Sequence, residues 1–139
     1  MNNKYDKTYI EIAETFSKLS TAKKKKVGAI IVKDNTIISD GYNGTPSGYC
    51  NECEDSDGNT YWYVLHAEAN AITKIAKSTQ NCKDATLYIT MSPCKECSKL
   101  IIQSGIKRVV YKEKYKDLSG INFLGNFNIE CVNINGKWR

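Results

Sequence analysis

The first regular pattern along the chain is helical: Tyr9, Ile12, Ala13, Phe16 and Leu19 place apolar side chains on one face, with Asp6 as the expected cap. The pattern then changes. Val27 to Val32 is a continuous apolar run, Asp34-Asn35 has turn chemistry, and Thr36 to Ser39 follows, which predicts a β-hairpin. Further along, the spacing predicts a helix from near His66 to about Lys77 and a strand at Ala85 to Thr90. A second helix is opened by SPCKEC and runs through Gln103, and a strand follows at Arg108 to Tyr111. A short helical stretch near Leu118 to Leu124 and a last strand around Ile129 to Ile134 complete the order. A hairpin followed by alternating strands and helices predicts an α/β fold, three layers in α/β/α order around a mixed five-stranded sheet. Two segments lack periodicity: the glycine-rich GYNGTPSG at 41–48 and the polar loop from Tyr49 to Thr60. An irregular stretch of that length inside a compact domain usually serves function.

The 139 residues suit one domain, expected over 1–139. No stretch approaches a membrane span, and the polar start lacks the apolar core of a signal peptide. Together with six cysteines, this predicts a reducing, cytoplasmic setting in which thiols serve metal or thiol chemistry. The net charge of +5 suits an anionic ligand. On charge alone, the run Lys23 to Lys26 reads as a solvated loop. Nucleic-acid binding would call for more arginine and a basic stripe interleaved with aromatics, whereas the arginines are Arg108 and Arg139.

His66, Cys94 and Cys97 form a candidate metal set. One imidazole and two thiolates leave a tetrahedral zinc one ligand short, which is how a catalytic zinc keeps a position for water. Each half opens a predicted helix, where the dipole favours thiolate, and residues three apart on a helix share a face. Pro93 is tolerated at such a start. Glu68 is too near His66 along the chain to be a fourth ligand, but it is placed to handle the proton of the attacking water. The spacing H-x-E followed by P-C-x-x-C is the signature of zinc deaminases, in which such a glutamate serves as general acid and base.

Over nearly its whole length the chain resembles the deoxycytidylate deaminase family of the cytidine deaminase-like fold. The resemblance rests on VGAIIV (27–32), GYNGTPSG, HAEANAI (66–72), SPCKECSKLIIQSGIKRVVY (92–111) and GINFL (120–124). It implies zinc held by His66, Cys94 and Cys97, Glu68 as general acid and base, and Asn43 on the substrate nucleotide. The glycines around Asn43 would let backbone approach the ligand. The basic position before VGA falls on Lys24 or Lys25, and a tyrosine-plus-basic pair closing over the phosphate falls on Tyr115 and Lys116. Lysine here keeps the charge of the arginine usual in relatives but not its bidentate fork. The implied reaction is hydrolysis of dCMP to dUMP and ammonia, feeding thymidylate synthesis. The resemblance also implies a homo-oligomer, hexamer or dimer, with dCTP and dTTP as effectors alongside Mg2+, in host cytoplasm if the source is viral.

Other readings of the residues stay open at this stage. A dCTP or dual dCMP/dCTP deaminase would differ only in phosphate contacts. A tRNA adenosine or single-stranded DNA deaminase would need a groove for flanking nucleotides. A structural zinc module would have a closed site and a dispensable Glu68. Cys50 and Cys53 form a second C-x-x-C, a half-site for a structural zinc if another ligand joins them, while Cys82 and Cys131 read as small core residues. Tyr61, Trp62 and Tyr63 are expected to pack their loop onto the core, or otherwise to form a subunit contact or a stacking surface.

Overall fold

A computed structural model describes residues 3–136; residues 1–2 and 137–139, Arg139 among them, lie outside the described residues. The elements run α1 (Asp6–Ser17), β1 (Gly28–Lys33), β2 (Thr36–Tyr42), α2 (Ala67–Ala76), β3 (Thr86–Met91), α3 (Lys95–Ser104), β4 (Arg108–Glu113), α4 (Ser119–Leu124), a 3-10 turn at Gly125–Phe127, and β5 (Glu130–Asn133). Five strands make one mixed sheet in the order β2-β1-β3-β4-β5. β1 is antiparallel to both neighbours, whereas β3, β4 and β5 run parallel. Parallel neighbours need crossovers, which α3 and α4 supply.

Alternation along the central strands divides the core in two. Ile30, Val32, Tyr88, Val110 and Val132 face α1 through Ile10 and Ala13. Ala29, Ile31, Leu87, Ile89 and Val109 face α2, α3 and α4 through Ala71, Ile75, Ile101 and Leu124. Strands covered on both faces read as unbroken apolar runs, which is why VGAIIV shows no period of two. The three-layer α/β/α expectation holds, with one helix on one face and three on the other. The hairpin turn is also as expected. Asp34 and Asn35 have φ of 50° and 60°, the left-handed conformation that a two-residue hairpin demands at both positions. β2 runs on to Tyr42, beyond the expected Ser39, because Gly41 and Tyr42 pair with Ala29 and Gly28.

One expectation fails. Asp6 does not cap α1: Tyr5 occupies that position without a side-chain bond, and Asp6 is fully buried in the first turn. Its carboxylate accepts bonds from Arg108 Nη1 and Nη2 at 2.9 and 2.7 Å and from the Tyr88 hydroxyl at 2.7 Å. Burial raises the Asp6 carboxyl, but the Arg108, Tyr88 and Asn3 hydrogen bonds outweigh it and hold it below 3.8. The network pins α1 to β3 and β4. Asp6→Asn is therefore expected to destabilise the fold by about 3 kcal/mol, since it strips the principal counter-charge from a guanidinium only 11% exposed. Because the folded carboxyl titrates below its unfolded value, this contribution is full above about pH 3.8 and is lost as pH falls through the folded value. Urea unfolding checks it; a change under about 1 kcal/mol would contradict this role.

Strand register gathers four loops at one edge of the sheet. Gly28 lies opposite Tyr42, Ala29 opposite Ile89, and Met91 beside Glu113. The segments entering β1 and leaving β2, β3 and β4 thus meet there. Ligand sites of open α/β sheets form at the carboxyl ends of parallel strands.

Candidate active site

Two helix starts converge at that edge. His66 precedes α2 in extended conformation, φ −73° and ψ 159°, and Cys94 precedes α3 in nearly the same one, φ −74° and ψ 171°. Each is a helix cap that makes no side-chain capping bond, so both side chains are left to face each other. A cap side chain folds over the residue three positions on, and for Cys94 that residue is Cys97. The sequence reading placed both cysteines inside the first turn; Cys94 stands one step before it. Gly41 of β2 allows the approach of α2, because a Cβ there would overlap the Ala67 carbonyl. The glycine expected to admit ligand therefore admits a helix. Gly120 plays the same part under α3: a Cβ would come within 2.5 Å of the Pro93 carbonyl.

The His66, Cys94 and Cys97 ligand atoms lie within 4.8 Å of one another, and no other such group of three occurs among the described residues. Nδ1 of His66 is 3.6 Å from Cys94 Sγ and 3.3 Å from Cys97 Sγ. Zinc bonds of about 2.3 Å to sulfur and 2.0 Å to nitrogen, at tetrahedral angles, require roughly 3.6 Å between such atoms. The donor set fits the same ion chemically. Hydrogen bonds from Cys97 and His66 hold the Cys94 thiol well below the usual range, while Cys97, beside that thiolate and buried, is pushed up. Both ionise together only with a cation between them. Exposure is graded from exposed His66 through half-buried Cys94 to buried Cys97, so the site opens on the imidazole side.

Glu68, in the first turn of α2, is 3% exposed. Burial pushes its carboxyl up to about 7, against its own backbone hydrogen bond and the His66 charge. A buried carboxyl titrating near neutrality beside a metal triad can both take and give a proton.

His66, Glu68 and Cys94 line a cavity of about 580 Å3, a volume suited to a small ligand. Its other lining groups include Asn43, Lys24, Lys25, Tyr115 and Lys116, so the residues expected to meet the nucleotide line the same space as His66, Glu68 and Cys94. The Asn43 amide is already engaged: Oδ1 accepts from Val27 N at 2.9 Å and Nδ2 donates to the Lys25 carbonyl at 2.8 Å, which holds the lysine segment against the end of β2. Lys25 pairs with Glu113 at 2.9 Å, so Lys24 is the freer of the two candidates for the basic position. The Tyr115 amide donates to Ser92 Oγ at 2.7 Å, tying its loop to the turn that carries Cys94.

Sequence reading missed Lys114 and Glu54, which also line the cavity. Lys114 directly precedes the tyrosine-plus-basic pair. Nothing in the pattern could have brought Glu54 here, since that depends on how the 49–60 loop folds back. The loop is ordered by Asp55, whose carboxylate accepts from Asp57 N and Asn59 N, and by pairing between Glu54 and Thr60. Cys53 is buried against Thr21 while Cys50 is exposed. The tyrosines pack on each other and not on the core: Tyr61 stacks on Tyr63 at 5.0 Å, and Trp62 is 92% exposed. Cys82 lies in the core, as expected, and Cys131 packs against it.

The cytidine and deoxycytidylate deaminase zinc-binding region, as a family pattern, matches residues 3–113. The deoxycytidylate deaminase of Enterobacteria phage T4 is 35% identical across 94% of this chain and 90% of its own. The deoxycytidylate deaminase of Homo sapiens is 37% identical across 78% of this chain and 65% of its own. Among solved structures, the dCMP deaminase of cyanophage S-TIM5, in complex with dCMP and dUMP, superposes with a TM-score of 0.92. It is 44% identical, with 96% of this chain and 99% of that one covered.

Proposed function

The chain belongs to the cytidine and deoxycytidylate deaminase family, and from that premise we propose that it hydrolyses the 4-amino group of dCMP, releasing dUMP and ammonia. The observation that carries this reading is one cavity lined both by His66, Cys94 and buried Glu68 and by the exposed lysines 24, 25, 114 and 116. A ring base beside the triad and an anionic phosphate beside the lysines complement these two kinds of lining.

His66, Cys94 and Cys97 would hold zinc, which would supply a Lewis acid that lowers the pKa of a water toward neutrality. Glu68 does the proton work. Its carboxylate accepts a proton from the attacking water, donates it to ring N3 as the water oxygen bonds to C4, and takes the remaining hydroxyl proton for the departing amine. The C4–N bond breaks, ammonia leaves, and the ring is left as uracil. Asn43 holds the lysine segment and keeps one amide hydrogen and one oxygen lone pair for the nucleotide. Lys24, Tyr115 and Lys116 close on the phosphate.

Phosphate recognition is tested by comparing dCMP with deoxycytidine. We expect kcat/KM to fall at least about 100-fold without the phosphate, since several charge-assisted contacts go unmade. Equal values for the two would contradict it. A tRNA or single-stranded DNA substrate is disfavoured because four lysines line the one cavity that holds Glu68 and the ring cluster of Tyr61 and Tyr63 is stacked on itself. The proposal extends to a homo-oligomer, hexamer or dimer, for which exposed Trp62 and the Phe123–Phe127 pair offer apolar surface. It extends also to dCTP and dTTP as effectors with Mg2+ and to action in the cytoplasm, on the family resemblance. No helix among the described residues is long and apolar enough to cross a membrane.

A further inference from the structure

On the basic rim of the cavity sits one carboxylate that the proton chemistry does not use. Glu54 comes from the irregular 49–60 loop, lines the cavity, and is half-buried. Its two oxygens accept from Lys23 N at 2.9 and 3.2 Å, and one of them also accepts from Lys24 N at 3.2 Å. Two successive backbone N–H groups converging on one anion form the kind of concavity that elsewhere binds phosphate. Here the chain fills it with its own carboxylate, on the backbone of a lysine expected to meet the substrate phosphate. Glu113 likewise occupies the Lys25 side chain, at 2.9 Å.

We infer that Glu54 fixes the number of phosphates the site accepts, admitting a 5′-monophosphate and rejecting the di- and triphosphate. This rests on the proposed reading of the cavity as a deoxycytidine nucleotide site. A single phosphate is matched by Lys24, Lys116 and their neighbours. The β- and γ-phosphates of dCTP would extend along the rim, where the nearest backbone donors are taken and a fixed negative charge faces them. Like charges brought together at a partly desolvated rim oppose binding, so the same side chain that braces the lysine segment discriminates by repulsion.

The test is competition between dCMP and dCTP in one mixture, so that any effector acts equally on both, with dUMP and dUTP as the products measured. In Glu54→Gln the dCTP-to-dCMP ratio of kcat/KM is expected to rise roughly tenfold. Glu54→Ala, which also removes the charge, should move it the same way, and Glu54→Asp should keep it near wild type. An unchanged or lowered ratio in both neutral variants overturns the inference. Loss of dCMP turnover in both, with the thermal transition retained, overturns it as well, by making Glu54 part of monophosphate binding. A wild-type chain that leaves dCMP untouched contradicts the underlying function instead, before any variant is compared.

Discussion

Glu68→Gln is expected to lower kcat on dCMP by at least about 1,000-fold while zinc content and the thermal transition stay at wild-type values. The substitution keeps the shape of a side chain only 3% exposed and removes its ability to accept and return a proton. Two protons pass through this carboxyl, each taken up and then given away, so no part of the cycle escapes its loss. The fold should tolerate the change well, because a neutral amide is less costly to bury than a carboxylate raised to about 7. Stopped-time ammonia release and zinc analysis on the same samples check both halves. A variant with residual turnover near wild type would remove Glu68 from the mechanism.

Cys97→Ala is expected to take zinc from about one per chain to below about a tenth and to abolish turnover. Cys97 is the buried member of the triad and lies 3.3 Å from His66 Nδ1, so the two remaining ligands would hold a solvent-facing ion weakly. Stability should follow the metal, because an ion bound only by the folded chain stabilises it by mass action. Wild-type protein treated with chelator should therefore show a lowered thermal transition that zinc restores, and Cys97→Ala should show no such response. Stoichiometric zinc in the variant would contradict the assignment. Cys53→Ala, at a residue that touches Thr21 and lines the same cavity without belonging to the triad, serves as the control and should keep its catalytic zinc.

Much of the site is legible in the sequence. The spacing of His66, Glu68, Cys94 and Cys97 follows from the need to bring two helix starts to one ion, and local rules fix helix starts well. The sheet was equally readable, since strands covered on both faces leave an unbroken apolar run at 27–32 and the β-rich stretch ATLYIT at 85–90. Asp6 was misread because capping is a local signal, whereas its true partners, Arg108 and Tyr88, lie far along the chain. Gly41 was misread for a similar reason: a glycine suited to ligand approach is equally suited to helix approach, and only the packing of α2 decides. Glu54 carried no signal at all. Its place at the rim depends on a fold-back of the 49–60 loop and on bonds to backbone, which side-chain patterning does not record.

The central claim joins a zinc-type triad and a proton-carrying glutamate to a basic-rimmed cavity that takes a deoxycytidine monophosphate. The most direct test is to incubate the zinc-loaded wild-type chain with dCMP and quantify ammonia and dUMP together. One ammonia should appear for each dUMP formed, at a rate far above that with deoxycytidine. A zinc-loaded, folded chain that releases no ammonia from dCMP would contradict the account.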